Sequence, residues 1–366
     1  MSEAADEVCA AVADVAPLLT ALGAAQRAAL DRRARPALAE ATALLGVPAV
    51  LVVDSTAGFS AAEVVITRRL ARAPLTTAFQ PGELAAAAAR RGPGPVVVRG
   101  GDGAALRAHV AGPVGAPAVA VVSACGMPAG LVSRWVSHLA AGHRVVTWET
   151  RGLFDDEDGF DARGHDLATQ AADLLTVLEA FVLERVHVVG LCGGAAIALA
   201  AAHSPRVASL SLWHGDYELA GAAKTEHQRD MQSMLVLAGR ERARAEALHR
   251  VFRRASTVDS LRPDIAHHLY YPYATAELLY RYGRLNGAIM TTDCGPLLAA
   301  VSQPTLVVTS PEDDTAHPDG SRHVAARLAH ARLHEFPHGD HLAAFDADAR
   351  RLALATDFIA ETRGGS

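Results

Sequence analysis

The stretch Val186-His187-Val188-Val189-Gly190-Leu191-Cys192-Gly193-Gly194-Ala195-Ala196-Ile197 carries the decisive local pattern of this chain. Three valines open it, a turn built almost wholly of tiny residues follows, and an alanine-rich run closes it. That succession predicts a buried strand, a tight turn and a helix, with one cysteine at the tip of the turn. Glycine at 190 and 194 has a steric reason. The tip residue must adopt a strained backbone conformation, and side chains at either glycine would collide across the turn. A thiol held there, at a helix N-terminus, is presented as a nucleophile.

Working outward, strand and helix alternate regularly from residue 95. An opening hairpin is expected from Val96–Val98 and Leu106–Val110 around Gly100–Gly103, and a strand buried on both faces at Ala118–Val122. A helix through Trp135, His138 and Leu139 leads to a strand at Arg144–Trp148, an acidic run Phe154–Asp158 and a helix from Asp166 to Phe181. Further strands are expected at Val207–Trp213, Pro304–Thr309 and Arg332–Phe336. This repetition predicts a mostly parallel central sheet flanked by helices, with right-handed crossovers. Residues 217–295 interrupt the rhythm with charged helical sequence. Residues 1–94 precede it as a mainly helical extension that ends in the Pro/Gly junction Arg90–Pro95.

Composition bounds the reading. A chain of 366 residues, half hydrophobic and a fifth charged, fits a globular protein with one large α/β domain and additions. A net charge of -6 with interspersed signs gives no footing for nucleic-acid binding. The four cysteines (Cys9, Cys125, Cys192, Cys294) show no C-x-x-C pairing, so neither a zinc ribbon nor a dithiol redox site is expected, and no metal or cofactor is assigned. No run approaches the ~20 apolar residues of a membrane span. The acidic start Met1–Glu7 lacks the basic region of a signal peptide, and the expected location is cytoplasmic.

On the Gly-x-Cys-x-Gly turn and the strand alternation around it, residues 95–366 resemble an α/β-hydrolase-fold protein carrying cysteine where most members carry serine. The resemblance implies the chain order nucleophile, acid, histidine, and a helical lid at about 217–295. Both downstream places are filled. Ser310-Pro311-Glu312-Asp313-Asp314 follows one strand, and Pro337-His338-Gly339-Asp340-His341-Leu342 follows the last. Each leaves the carboxyl end of its strand, where open α/β sheets build their sites. Asp313 is assigned as the acid, with Asp314 and Asp216 as rivals. His341 is assigned as the base, with His338 as the weaker choice. An imidazolium and a helix N-terminus beside Cys192 would favour a thiolate–imidazolium pair.

An oxyanion hole needs two backbone N–H donors. Gly193, directly after the cysteine, supplies one. Met127 is the candidate for the other, because Gly126-Met127-Pro128 resembles the Gly-x-Pro part of the family's His-Gly-x-Pro sequence, with Cys125 standing where histidine is usual. Cys125 itself reads as a buried structural thiol. Tyr270, Tyr271 and Tyr273, with Tyr280 and Tyr282, are candidates for lining an acyl pocket or for packing a lid. Glu149 is a candidate for receiving a substrate amine, although pairing with Arg151 is the simpler expectation. Arginines from 240 to 254 could dock an acidic partner or form a solvated helix face.

Several groups within this fold use cysteine. Chain length, cysteine turn, lid and N-terminal extension together resemble the aminoacyl-shuttling acyltransferases and cysteine thioesterases of nonribosomal peptide pathways. That resemblance implies an acyltransferase without its own cofactor. Its substrate would ride on the phosphopantetheine of an acyl or peptidyl carrier protein, or on CoA, and pass through a Cys192 thioester to an acceptor thiol, amine or hydroxyl. The alternatives are a thioesterase that releases the acyl group to water, and a non-catalytic binding protein on the same fold.

Overall fold

The computed structural model describes residues 2–92, 94–154 and 158–364. Pro93 of the expected junction and Asp155, Asp156 and Glu157 of the acidic run lie outside the described residues. The chain divides into two compact units, residues 1–94 with 241–280, and residues 95–240 with 281–366. The expected insertion 217–295 is thus split: its middle groups with the first unit, and its two ends group with the sheet.

In the first unit, the helix Glu3–Leu22 places Val8, Val12, Val15 and Leu19 on one buried face at the 3.6-residue period. Strands β1 (Gln26–Ala29) and β2 (Val50–Val53) pair in parallel. The helix Ala61–Leu70 opens with a capping box of Ser60 and Glu63, and the Glu63 carboxylate also binds Arg27 at 2.6 Å. The segment 241–280 joins this unit through specific bonds. Ala61 N–H donates to the Arg253 carbonyl at 2.9 Å, and Arg68 donates to the Val258 carbonyl at 2.5 Å.

The second unit is built on an eight-stranded sheet. Its strands are β3 (Val96–Arg99), β4 (Ala105–Ala111), β5 (Ala118–Val122), β6 (Arg144–Trp148), β7 (Val186–Leu191), β8 (Val207–Trp213), β9 (Thr305–Thr309) and β10 (Ala331–Glu335). Across the sheet they run β3-β4-β6-β5-β7-β8-β9-β10. The β3/β4 and β4/β6 pairs are antiparallel and the rest parallel. All six residues of β7 are buried, which explains its mostly apolar character, and its one polar side chain, His187, is satisfied by Ser209 and Ser211 at 2.7 and 2.8 Å. Strand order reverses between β5 and β7, and that switch opens a crevice at the carboxyl ends of the central strands. Among the described residues no helix is long and apolar enough to cross a membrane.

The loop after β6 is tied down by a buried ion pair. Arg151 donates through Nε and Nη2 to both carboxylate oxygens of Asp173, at 2.6 and 2.5 Å, and through Nη1 to Asp102 at 2.5 Å. Arg151 and Asp173 are both buried, so their pairing offsets a large desolvation cost. Removing one partner leaves the other charge buried and uncompensated. Asp173→Ala is expected to lower stability by about 3–5 kcal/mol, read as a fall in the urea midpoint of the sheet unit.

Candidate active site

The turn after β7 forms as its sequence demands. Cys192 has φ 56° and ψ -126°, in the left-handed half of the map that side chains other than glycine avoid. A Cβ on Gly190 would lie 2.7 Å from the Ala195 Cα, and one on Gly194 would strike the Val122 and Ser123 carbonyl oxygens. Cys192 N–H is held by the Trp213 carbonyl at 3.0 Å, so the end of β8 fixes the turn. The thiol is half-buried at the N-terminus of the helix Gly193–Ala201.

Asp313 and His341 come together, although 28 residues separate them. His341 Nδ1 lies 3.1 and 3.0 Å from the two Asp313 oxygens, and both residues are buried. Asp313 Oδ1 also accepts from the backbone of Thr315 at 3.0 Å and Ala316 at 2.8 Å. The loops that carry the pair are fastened to each other. Ser310 Oγ donates to the Gly339 carbonyl, and Glu312 accepts the Gly339 N–H at 2.9 Å.

Electrostatics follow from this geometry. Burial works against a charged ring at His341, but the neighbouring Cys192 and the Asp313 carboxylate, which accepts from the ring, outweigh it and hold the imidazole well above its usual range. Burial likewise opposes ionisation of Asp313, yet His341 and the hydrogen bonds from His214, His341 and Ala316 hold its carboxyl far below the usual range. Asp313 and His341 are therefore an interdependent charged pair.

The rivals stand elsewhere. Asp314 is exposed. His338 is exposed and bonds Glu312 at 2.9 Å. Asp216 is buried but accepts from Gln228 Nε2 at 2.7 Å, with burial raising its carboxyl above the usual range.

Of the two oxyanion candidates, Gly193 N–H has no protein acceptor among the described residues, as expected at a helix start. Met127 N–H makes a long bond of 3.3 Å to the Ala124 carbonyl within its turn. Gly126 precedes it with φ 78°, and its N–H is held by Thr150 Oγ1 at 2.9 Å. Cys125 is buried, 3.7 Å from Gln170 Oε1, and desolvation pushes its thiol far up, as befits an inert structural cysteine.

One expectation is corrected. Glu149 does not pair with Arg151, which is committed to Asp173 and Asp102. It lies opposite Arg107, because the antiparallel β4/β6 register continues one residue past Trp148, and their side chains meet at 2.9 Å. Its carboxylate is thereby engaged. Tyr270, Tyr271 and Tyr273 pack inside the first unit, Tyr273 against Phe252 at 4.9 Å between ring centroids, and burial pushes the Tyr270 hydroxyl up to about 12. Within the sheet unit, the Tyr282 ring reaches the turn at Gly126.

On the helix Ala276–Thr291, Tyr282, Asn286 and Met290 are spaced four residues apart and share one face. A Cβ on Gly126 would sit 2.7 Å from the Tyr282 ring, and one on Gly193 would sit 3.4 Å from Asn286 Oδ1. Asn286 Nδ2 donates to the Tyr282 hydroxyl at 3.2 Å, and among the described residues its Oδ1 accepts no hydrogen bond. The helical spacing was a usable sign of this pair in the sequence.

His214, Asp313 and His341 bring ligand-type atoms within 4.8 Å of one another. Direct bonds from both Nδ1 atoms to Asp313 account for that closeness.

A family model of the alpha/beta hydrolase fold matches residues 120–348. The chain belongs to that family and is an α/β-hydrolase-fold enzyme. It is 29% identical over 268 residues to "Putative carbamate hydrolase RutD" of Variovorax paradoxus, covering 70% of this chain and 96% of that protein. It is 27% identical over 195 residues to L-allo-isoleucyltransferase of Pseudomonas savastanoi pv. glycinea, covering 51% of this chain and 68% of the relative. Among solved structures, the enol-lactonase of Burkholderia xenovorans aligns with a TM-score of 0.58 at 19% identity, covering 72% of this chain and all of that one. A thermophilic esterase of Thermogutta terrifontis aligns with the same score at 18% identity, covering 74% of this chain and 99% of its own. At such identities these structures speak for the fold alone.

Proposed function

We propose that the protein is a cysteine-dependent acyltransferase that receives an acyl or aminoacyl group from a thioester and passes it to an acceptor thiol, amine or hydroxyl. The observation that carries this reading is a cysteine at the strained turn after β7, beside the oxyanion candidate Gly193, in a sheet unit whose loops after β9 and β10 bring Asp313 and His341 together as a buried, hydrogen-bonded pair. In the first half-reaction the Cys192 thiolate adds to the thioester carbonyl. The oxyanion is met by Gly193 N–H, and by Met127 N–H once it exchanges its long turn bond for the substrate. The carbonyl re-forms, the C–S bond to the carrier breaks, and the departing sulfur takes the proton held on His341. In the second half-reaction neutral His341 removes a proton from the acceptor, which attacks the Cys192 thioester and releases the thiolate. Asp313 keeps the imidazole oriented and offsets its charge in both.

The thiol supports transfer rather than simple release. A cysteinyl thioester is close in energy to the thioester it came from, so exchange is reversible. The carrier expected for such a donor is the phosphopantetheine of a carrier protein, or CoA, with no resident cofactor. The similarity to an aminoacyl transferase agrees with this reading. The similarity to a hydrolase favours the second one, release of the acyl group to water.

Mixing the protein with aminoacyl- or acyl-pantetheine thioesters and measuring intact mass tests the proposal. The expected result is an acyl adduct on Cys192 that an acceptor thiol or amine clears faster than water does. Faster clearance by water selects the hydrolase. Absence of any adduct, together with unchanged activity in Cys192→Ala, overturns the nucleophile assignment.

A further inference from the structure

Asp313 has more partners than its pairing with His341 requires. The extra one is His214, the residue directly after β8. Its backbone lies in the left-handed region at φ 47°, which histidine tolerates but seldom adopts, and its N–H donates to the Val308 carbonyl at 2.8 Å. The side chain is completely buried, and its Nδ1 lies 2.8 Å from Asp313 Oδ2. That same oxygen lies 3.0 Å from His341 Nδ1, so one carboxylate oxygen is shared by two imidazoles whose rings stand 86° apart.

An ionised carboxylate only accepts, so both Nδ1 atoms must donate to it. His214 Nε2 is then left buried without a partner among the described residues. An unpartnered buried nitrogen and a left-handed backbone both carry a cost in stability. The one bond formed in return is the bond to Asp313. The residue just before it, Trp213, accepts the Cys192 N–H, so a single turn touches both the cysteine and the acid.

We propose that His214 is a positioning residue for this site, holding the Asp313 carboxylate in the orientation that faces His341 and sharing its charge. The inference rests on the roles given above to Cys192, His341 and Asp313. The ionisable groups that act on Asp313 and His341 are His214, Asp216 and Cys192, alongside each other. Without the His214 donor the ionised carboxylate is less favoured, because Oδ2 keeps His341 as its one partner while Oδ1 stays on the Thr315 and Ala316 backbone. The His341 imidazolium is then less well held, and so is the thiolate beside it.

Iodoacetamide alkylation of Cys192, followed by intact mass across pH, reads this directly because it needs the thiolate and no substrate. In His214→Leu the acid limb of the alkylation profile is expected to move to higher pH by about half to one unit, the worth of one hydrogen bond. In His214→Asn the side-chain nitrogen falls where the imidazole Nδ1 was, and the limb is expected to return towards wild type. Superimposable profiles for all three proteins, with or without a lower melting temperature, overturn the proposal. His341→Ala separates the two levels. If it leaves the limb unmoved, the reading of the whole site fails. If it moves the limb and His214→Leu does not, only the role of His214 fails.

Discussion

Cys192→Ala is expected to abolish acyl-adduct formation and to lower turnover by roughly 10⁴- to 10⁶-fold, the range seen when a covalent nucleophile is removed. The loss is that large because no neighbour can take over. Cys125 is buried, with its thiol pushed far up by desolvation, and it points to Gln170. Cys9 and Cys294 are also buried, with Cys294 pushed up to about 12. Cys192→Ser is the sharper comparison. An oxygen ester on serine is more stable than the donor thioester, so passing the group on to a thiol becomes uphill, while attack by water remains possible. Transfer to a thiol is expected to fall sharply in Cys192→Ser while slow hydrolysis persists, measured by separating transferred from released acyl product. Equal transfer by both proteins would falsify the argument from sulfur.

His341→Ala is expected to match the alanine variant of the nucleophile to within about tenfold, because the two act as one unit. Asp313→Asn is expected to cost about 10⁴-fold, since an amide can present an N–H to the ring and favour the wrong tautomer. The same residues set a dependence on pH. Asp313 is held below its ordinary range, so its stabilisation is present above the unfolded value near ~3.9 and is lost as pH falls through the folded value. His341 is held above its ordinary range, so its stabilisation is full below about 6.5 and is lost as pH rises through the folded value. Wild type is therefore expected to lose stability towards both extremes relative to His341→Ala, as followed by urea midpoints from pH 3 to 10. A constant difference between the two proteins would show that the coupling is absent.

How much could be read beforehand varied with the range of the interaction. Cys192, Gly190 and Gly194 announce their geometry locally, because a turn of a few residues carries its own steric constraints. The central strands β5, β6, β8 and β9 were legible because burial on two faces leaves mostly apolar runs, while the exposed edge strands β3 and β10 showed through their place in the alternation. Asp313 and His341 could be placed by their positions after β9 and β10. Glu149 was misread because its partner was sought two residues away, whereas the β4/β6 register sets Arg107 opposite it. The unit to which the tyrosines at 270–273 belong was not legible, because a charged, helical stretch does not state which unit it packs with.

By itself, then, the sequence determined the alternating sheet, the cysteine at a glycine-lined turn, and the order of the acid and the histidine after it. Periodicity and local sterics are properties of neighbouring residues. Tertiary structure alone decided that 241–280 packs with 1–94, that Tyr282 and Asn286 lie against Gly126 and Gly193, and that His214 shares an oxygen of Asp313 with His341. Each of these joins residues tens of positions apart. Their meeting depends on strand order and register in the folded sheet, which no local pattern encodes.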